Sequence, residues 1–235
     1  MQSSVALPKS FDPSNYISVF TQTSMPRYIL NSARNTLLSV LVIVLVSFLA
    51  GYVLSRYRFK GRGLVYNYFI MGMLIPIHAL LVPMYIQLNN AGMANRWFTL
   101  LFPYIGFGIP LSVMLVESYI ESIPRELEEA AAIDGSGSWR TLFQIILPLA
   151  SPILSTIAII QFFAVWNEFT FALILVNNDS LRTVPVGLTM FKGAYTVDYP
   201  RMMTGIMVTM LPVMILYFIF SRRIIEGMVA GAVKG

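Results

Sequence analysis

Chemistry needs side chains that can hold a metal, move a proton or attack an electrophile, and this sequence supplies few of them. It contains no cysteine and one histidine, His78. Disulfides, thiolate metal sites and histidine clusters are therefore excluded. Neither a G-x-S-x-G nucleophile turn nor a G-x-x-x-x-G-K-[ST] phosphate loop occurs, so hydrolytic chemistry of those kinds has no residues to carry it. Four of the eleven carboxylates gather in one place instead. Glu126, Glu128 and Glu129 lead into Ala130, Ala131, Ala132, Ile133 and Asp134, followed by Gly135, Ser136, Gly137 and Ser138.

This polar knuckle sits between long apolar segments, and the elements around it follow from elementary rules. Pro124 suits the first position of a short helix, where a missing N–H costs nothing. The glutamates after it place negative charge near the positive end of that helix, and Leu127, Ala130 and Ala131 share one side. Gly135 stands where a chain leaves a helix in the left-handed conformation. Ser138 can cap a second helix, on which Trp139, Leu142, Phe143, Ile146 and Leu147 recur at i, i+3, i+4, i+7 and i+8 as an apolar stripe. Such a hairpin can lie in a lipid interface. Its acidic, alanine-rich first helix suits close approach to another protein better than contact with anionic lipid.

The surroundings are those of a membrane protein. Apolar residues make up 57% of the chain and charged residues 11%, and the mean hydropathy is +0.71; soluble domains carry about 25% charge. The net charge of +5 is spread singly among apolar runs and forms no basic face for nucleic acid. A helix needs about 20 apolar residues to cross a bilayer. Five segments qualify, at about 36–55, 64–88, 97–116, 149–176 and 202–220. We therefore expect an all-α integral membrane protein with five transmembrane helices.

Positive charge sets the orientation. Residues 56–62, RYRFKGR, hold four Lys or Arg in seven positions, and short loops with that excess remain cytoplasmic. Alternation then puts residues 1–34 outside, 117–148 inside as a loop, and the tail 221–235 inside. The tally is nine positive residues inside against seven outside, so the first loop decides. An outside N-terminal segment without an export leader points to a further span upstream.

The residues of the knuckle carry a resemblance. Glu129, Ala130 and Ala131, then Gly135, Ile145, Leu147 and Pro148, match the spacing of the EAA loop in permease subunits of binding-protein-dependent ABC importers. The phrases NSARNTLLSV, FKGR, MLIPIHALLVPMY, SIPRELEEAAAIDG, VWNEF, TVPVGL and GMVAGAVKG, in that order, resemble the smaller permease of the maltose-type, carbohydrate branch. The likeness runs from about Phe11 to Gly235. Such permeases usually have six spans, so the first would be the one missing here.

The resemblance implies a multi-pass protein of a bacterial or archaeal cell membrane that forms half of a sugar translocation pathway. Its partners would be a second homologous permease, two copies of an ABC ATPase, an extracytoplasmic solute-binding protein and membrane lipid, with no nucleic acid. ATP and magnesium would be bound by the ATPase, leaving this chain without a cofactor, a metal or a catalytic residue. Glu129, Ala130, Ala131, Asp134, Gly135, Ile145, Leu147 and Pro148 would form the coupling element. Val233, Lys234 and Gly235 resemble a tail that reaches between the ATPases, although a frayed end has the same composition. Trp166, Asn167 and Glu168 are candidates for lining the substrate path; an outer-end Glu in water and a Trp in the interfacial belt fit equally. His78, after Pro76, fits a bond to a carbonyl freed at a helix break. Trp97, Phe98, Tyr104 and Phe107 could stack on sugar or pack at the membrane interface. Two alternatives remain: an importer for glycerol phosphate esters or another small solute, and a secondary carrier, for which repeats and intramembrane charges are lacking.

Overall fold

The computed structural model describes residues 13–193 and 196–232, with side chains as far as Phe218. Twelve α-helices are described in chain order: α1 (Ser14–Thr21), α2 (Met25–Arg56), α3 (Arg62–Met73), α4 (Leu81–Asn90), α5 (Leu101–Glu121), α6 (Glu126–Ile133), α7 (Ser138–Thr141), α8 (Leu147–Leu149), α9 (Ser151–Trp166), α10 (Thr170–Leu175), α11 (Val184–Gly187) and α12 (Tyr199–Ala232). Among the described residues the only β feature is an isolated bridge between Lys192 and Val197. The expected all-α architecture is the observed one.

Among the described residues three helices are long and apolar enough to cross a membrane, and up to five spans result if each of two bent helix pairs counts as one. The bent pairs depart from the straight segments expected from hydropathy. The stretch 64–88 turns through 91° between α3 and α4, because Pro76 has extended backbone and carries the chain out of one helix into a 3-10 turn at Ile77–Leu80. His78 stands exposed on that corner and makes none of the bonds expected of it. The stretch 149–176 ends as a helix at Trp166, breaks, and resumes in α10, while its entry bends by 69° between Leu149 and Ser151. Elsewhere the shifts are of boundaries: α2 begins at Met25, α5 covers Leu101–Glu121, and α12 begins at Tyr199.

The core is built the way helices associate in lipid. The buried face of α2 mixes Ser32, Asn35, Thr36, Ser39, Ser47, Gly51 and Ser55 with the larger Tyr28, Ile43, Phe48, Tyr52 and Leu54, and its exposed face carries Leu37, Leu41, Leu45, Leu49 and Val53. The small residues on that face let neighbouring backbones approach closely, which supplies attraction between helices where lipid removes the hydrophobic effect. The approach is close: a Cβ on Gly51 would lie 2.6 Å from a Val116 methyl on α5, and one on Gly108 of α5 would lie 2.4 Å from Ile43 of α2. A lone amide adds a tie. Gln161 of α9 donates to Gly108 O at 3.2 Å and to Ser112 Oγ at 3.1 Å, holding α9 on α5.

Candidate functional site

The knuckle folds as a helical hairpin. Helix α6 begins at Glu126 with Arg125 as its N-cap, two residues after Pro124, which lies in the preceding turn. At its other end Ser136 N donates to Ala131 O at 2.8 Å and Gly135 N to Ala132 O at 3.0 Å. That paired closure is the Schellman arrangement, and it requires a left-handed residue at Gly135; the observed φ is +76°. Ser138 is not the cap expected of it. Gly137 holds that position in extended conformation, and Ser138 is the first helical residue.

The predicted stripe divides. Leu142 and Ile146 are buried, Ile145 and Leu147 are half-buried, and Trp139 and Phe143 face outward, stacked at 6.0 Å. Residues 142–146 form a π-turn, and its wider winding separates rows that a regular α-helix would keep together. Of the other predicted residues, Ala131 is buried, while Glu129, Ala130, Asp134, Gly135 and Pro148 are exposed. Ile133 is 86% exposed and Trp139 71%. Leu127 also faces out, so its expected side with Ala131 is not a buried one.

Behind this face lies a set of ties that hydropathy does not reveal. Glu128 accepts from Arg56 Nε through one carboxylate oxygen, and from the Tyr52 hydroxyl at 3.0 Å through the other. Arg56 also donates to Ile123 O at 2.8 Å, and Arg125 donates to Ser55 O at 3.2 Å. Arg62 donates to Leu54 O and, at 3.1 Å, to Glu117. Two arginines counted above only as topology signals are thus structural. A signal was present in the sequence: a helix such as α2 must find donors for its last carbonyls, and the loop after it is rich in them.

The WNEF segment folds as a break. Trp166 is buried, stacks on Phe162 at 5.5 Å and donates to Thr209 O at 3.2 Å; it is an interior residue rather than a belt residue. Asn167 is exposed and donates to Phe163 O at 2.9 Å. Glu168 accepts from Phe171 N at 2.7 Å and Ala172 N at 3.1 Å, so it caps α10, and it also accepts from the Tyr104 hydroxyl at 2.9 Å. Tyr104, Phe107, Gln161, Glu168 and Ile77 line a cavity of about 240 Å³. Trp97 is half exposed and lies under the Arg34 guanidinium at 5.4 Å. Trp97 and Phe98 meet edge to face, apart from that cavity. No group of three or more His, Asp or Glu is placed to hold a metal among the described residues. The tail residues Val233, Lys234 and Gly235 lie outside the described residues.

Residues 43–230 match the family model described as the binding-protein-dependent transport system inner membrane component. The chain belongs to this family. The permease is 36% identical over 230 residues to the probable ABC transporter permease protein YurM of Bacillus subtilis, covering 98% of this chain and 76% of that one. It is also 36% identical to the trehalose/maltose transport system permease protein MalG of Thermococcus litoralis, covering 94% and 81%. Among solved structures it resembles a bacterial ABC transporter involved in the import of the polysaccharide alginate, with a TM-score of 0.81 at 23% identity, covering 92% of this chain and 81% of that one. The methionine transporter MetNI superposes with a TM-score of 0.67 at 17% identity, covering 93% and 99%. The permease is a multi-pass membrane subunit and not the ATPase of its system.

Proposed function

We propose that this chain is one of two permease subunits of an ATP-driven sugar importer, and that the hairpin of α6 and α7 is its ATPase-docking element. The observation that carries the docking assignment is the exposure of Glu129, Ala130, Ile133 and Trp139 on a hairpin whose other side is tied into the bundle. An apolar side chain as exposed as Ile133, beside an acidic residue, suits a partner's cleft. ATP can then drive transport because the ATPase contacts the two permease arrangements differently.

In this reading the hairpin, the 56–62 loop and the C-terminus lie in the cytoplasm. The exposed corner between α3 and α4 faces the second permease and the path between the two subunits. The cavity beside Glu168 lies along that path, and Trp166 and Asn167 support its wall rather than line it. Sugar is the favoured cargo because related permeases are named for trehalose, maltose, diacetylchitobiose and sulfoquinovosyl glycerol. The test is purification of the permease from its own membranes, followed by calorimetry of the co-expressed solute-binding protein with maltose, trehalose and glycerol 3-phosphate. Recovery of an ATPase and sugar binding are expected. Binding of glycerol phosphate alone would change the cargo, and recovery without an ATPase would overturn the proposal.

A further inference from the structure

Helix α6 is joined covalently to α5 through residues 122–125 and to α7 through residues 134–137. No neighbour packs against the second joint at its glycines, where an added side chain would meet nothing within 4 Å. Neither covalent route leads to α2, which lies about 70 positions upstream in the chain. Yet α2 is the helix to which α6 is most strongly bound by side chains. Glu128 takes both of its bonds from α2, and Arg56 and Arg125 cross-tie the backbone between the two helix ends.

The environment decides what these ties are worth. The side chains of Arg56 and Glu128 are 6% and 18% exposed. The ion pairs Arg182 with Asp179 and Arg201 with Asp198 are local and far more open, and open pairs of that kind hold little. A screened pair with a second donor on the same carboxylate cannot be opened without leaving a charge without its partner. Small residues on the shared face of α2 and α5, with Gly51 against Val116, make those two helices one packed unit.

From this geometry we propose that Tyr52, Arg56 and Glu128 form a clamp that makes α6 part of one rigid body with α2 and α5, so that motion at the docking face reaches the far end of α2 directly. These are positioning residues. The clamp rests on the docking role given to α6 above, and it adds the route by which a push on α6 leaves the hairpin. Without it, α6 would move on its two flanking loops and the bundle would lag behind.

The test uses the assembled importer with its ATPase in lipid nanodiscs, with ATP and vanadate as the probe. A genetically encoded fluorescent amino acid replaces Leu30, which is 70% exposed near the other end of α2. The wild-type complex responds to ATP and vanadate with a fluorescence change. Glu128→Gln and Arg56→Gln retain the full complement of ATPase and its hydrolysis, but the response at position 30 falls about tenfold. The chain has no cysteine, so the double variant Arg56→Cys with Glu128→Cys can be bridged by a short bifunctional thiol reagent, and bridging restores the response. A full response in the single variants would overturn the clamp, as would a bridged variant that stays silent, a wild-type complex that never responds, or a response lost only in proportion to lost ATPase. Ile133→Asp separates this from the docking role: undiminished ATPase in that variant removes the docking assignment itself.

Discussion

Glu128 and Glu129 are neighbours in the chain and face different ways, Glu128 into the Arg56 and Tyr52 side chains of α2 and Glu129 outward. Successive residues of an α-helix stand about 100° apart, so one turn of α6 turns one carboxylate into its own bundle and leaves the other exposed. The two positions should behave differently when changed. Glu129→Ala removes an exposed charge and should shift stability by less than about 0.5 kcal/mol while lowering solute uptake. Glu128→Ala strands Arg56 and should cost about 3 kcal/mol. Thermal unfolding of the detergent-solubilised complex, read beside uptake in whole cells, checks both.

Gly135 sits at φ +76° with open space around its Cα. The penalty for a larger residue therefore comes from the backbone alone, about 1–2 kcal/mol for a residue with a Cβ in that region. Gly135→Val should reduce both ATPase recovery and uptake. Gly135→Asn should be much milder, since Asn tolerates the left-handed region. Equal damage from the two would mean that something other than backbone conformation is at stake.

The contact of α2 with α5 makes a prediction of the opposite kind, in which space decides. Gly51→Leu forces side-chain atoms into Val116, where even a Cβ would come within 2.6 Å. Overpacking of this sort costs about 1–3 kcal/mol or more. Gly63, whose Cβ would meet nothing within 4 Å, should accept leucine without loss. The midpoints of thermal unfolding of the two variants in detergent should separate clearly.

Glu168 serves α10 first. Glu168→Ala leaves the Phe171 and Ala172 amides and the Tyr104 hydroxyl without their acceptor, a loss of about 1–3 kcal/mol. Glu168→Gln keeps an acceptor in place and should retain most of the stability. If uptake by the Gln variant changes in KM while its unfolding midpoint does not, the cavity beside Glu168 touches the solute. A midpoint that falls with uptake would leave the residue a cap alone.

How far these features were legible in the sequence depends on the range of the interaction that makes them. Gly135 and the acidic first turn of α6 were legible because their causes are local: a left-handed exit and a helix dipole. The break at Pro76 was half legible; the proline was visible, but a hydropathy window averages over the 91° turn that it makes. Glu128 was not legible as an anchor, because its partners Tyr52 and Arg56 lie 76 and 72 positions away. Nothing in its own neighbourhood distinguishes it from Glu129. The same distance hid the tie from Gln161 to Gly108, although a lone amide in an apolar run is a recognisable invitation to look for an interhelical partner.

Orientation is open to direct labelling. Lys60 and Asn90 are both exposed, and the charge pattern places the first inside and the second outside. With cysteine at position 90, an impermeant thiol reagent should label intact cells or spheroplasts. With cysteine at position 60, it should label only after permeabilisation. The reverse pattern would invert the topology and remove the hairpin from the cytoplasm.

Docking of the α6 hairpin on the ATPase, proposed above, is open to a cross-link. Cysteine at Ile133, the most exposed large hydrophobic residue of the hairpin, carries a photoactivatable thiol reagent in native membranes, with cysteine at Asn90 as the control. An adduct between permease and ATPase is expected from position 133 and none from position 90. No adduct from position 133, in membranes where the ATPase still co-purifies with the permease, would contradict it.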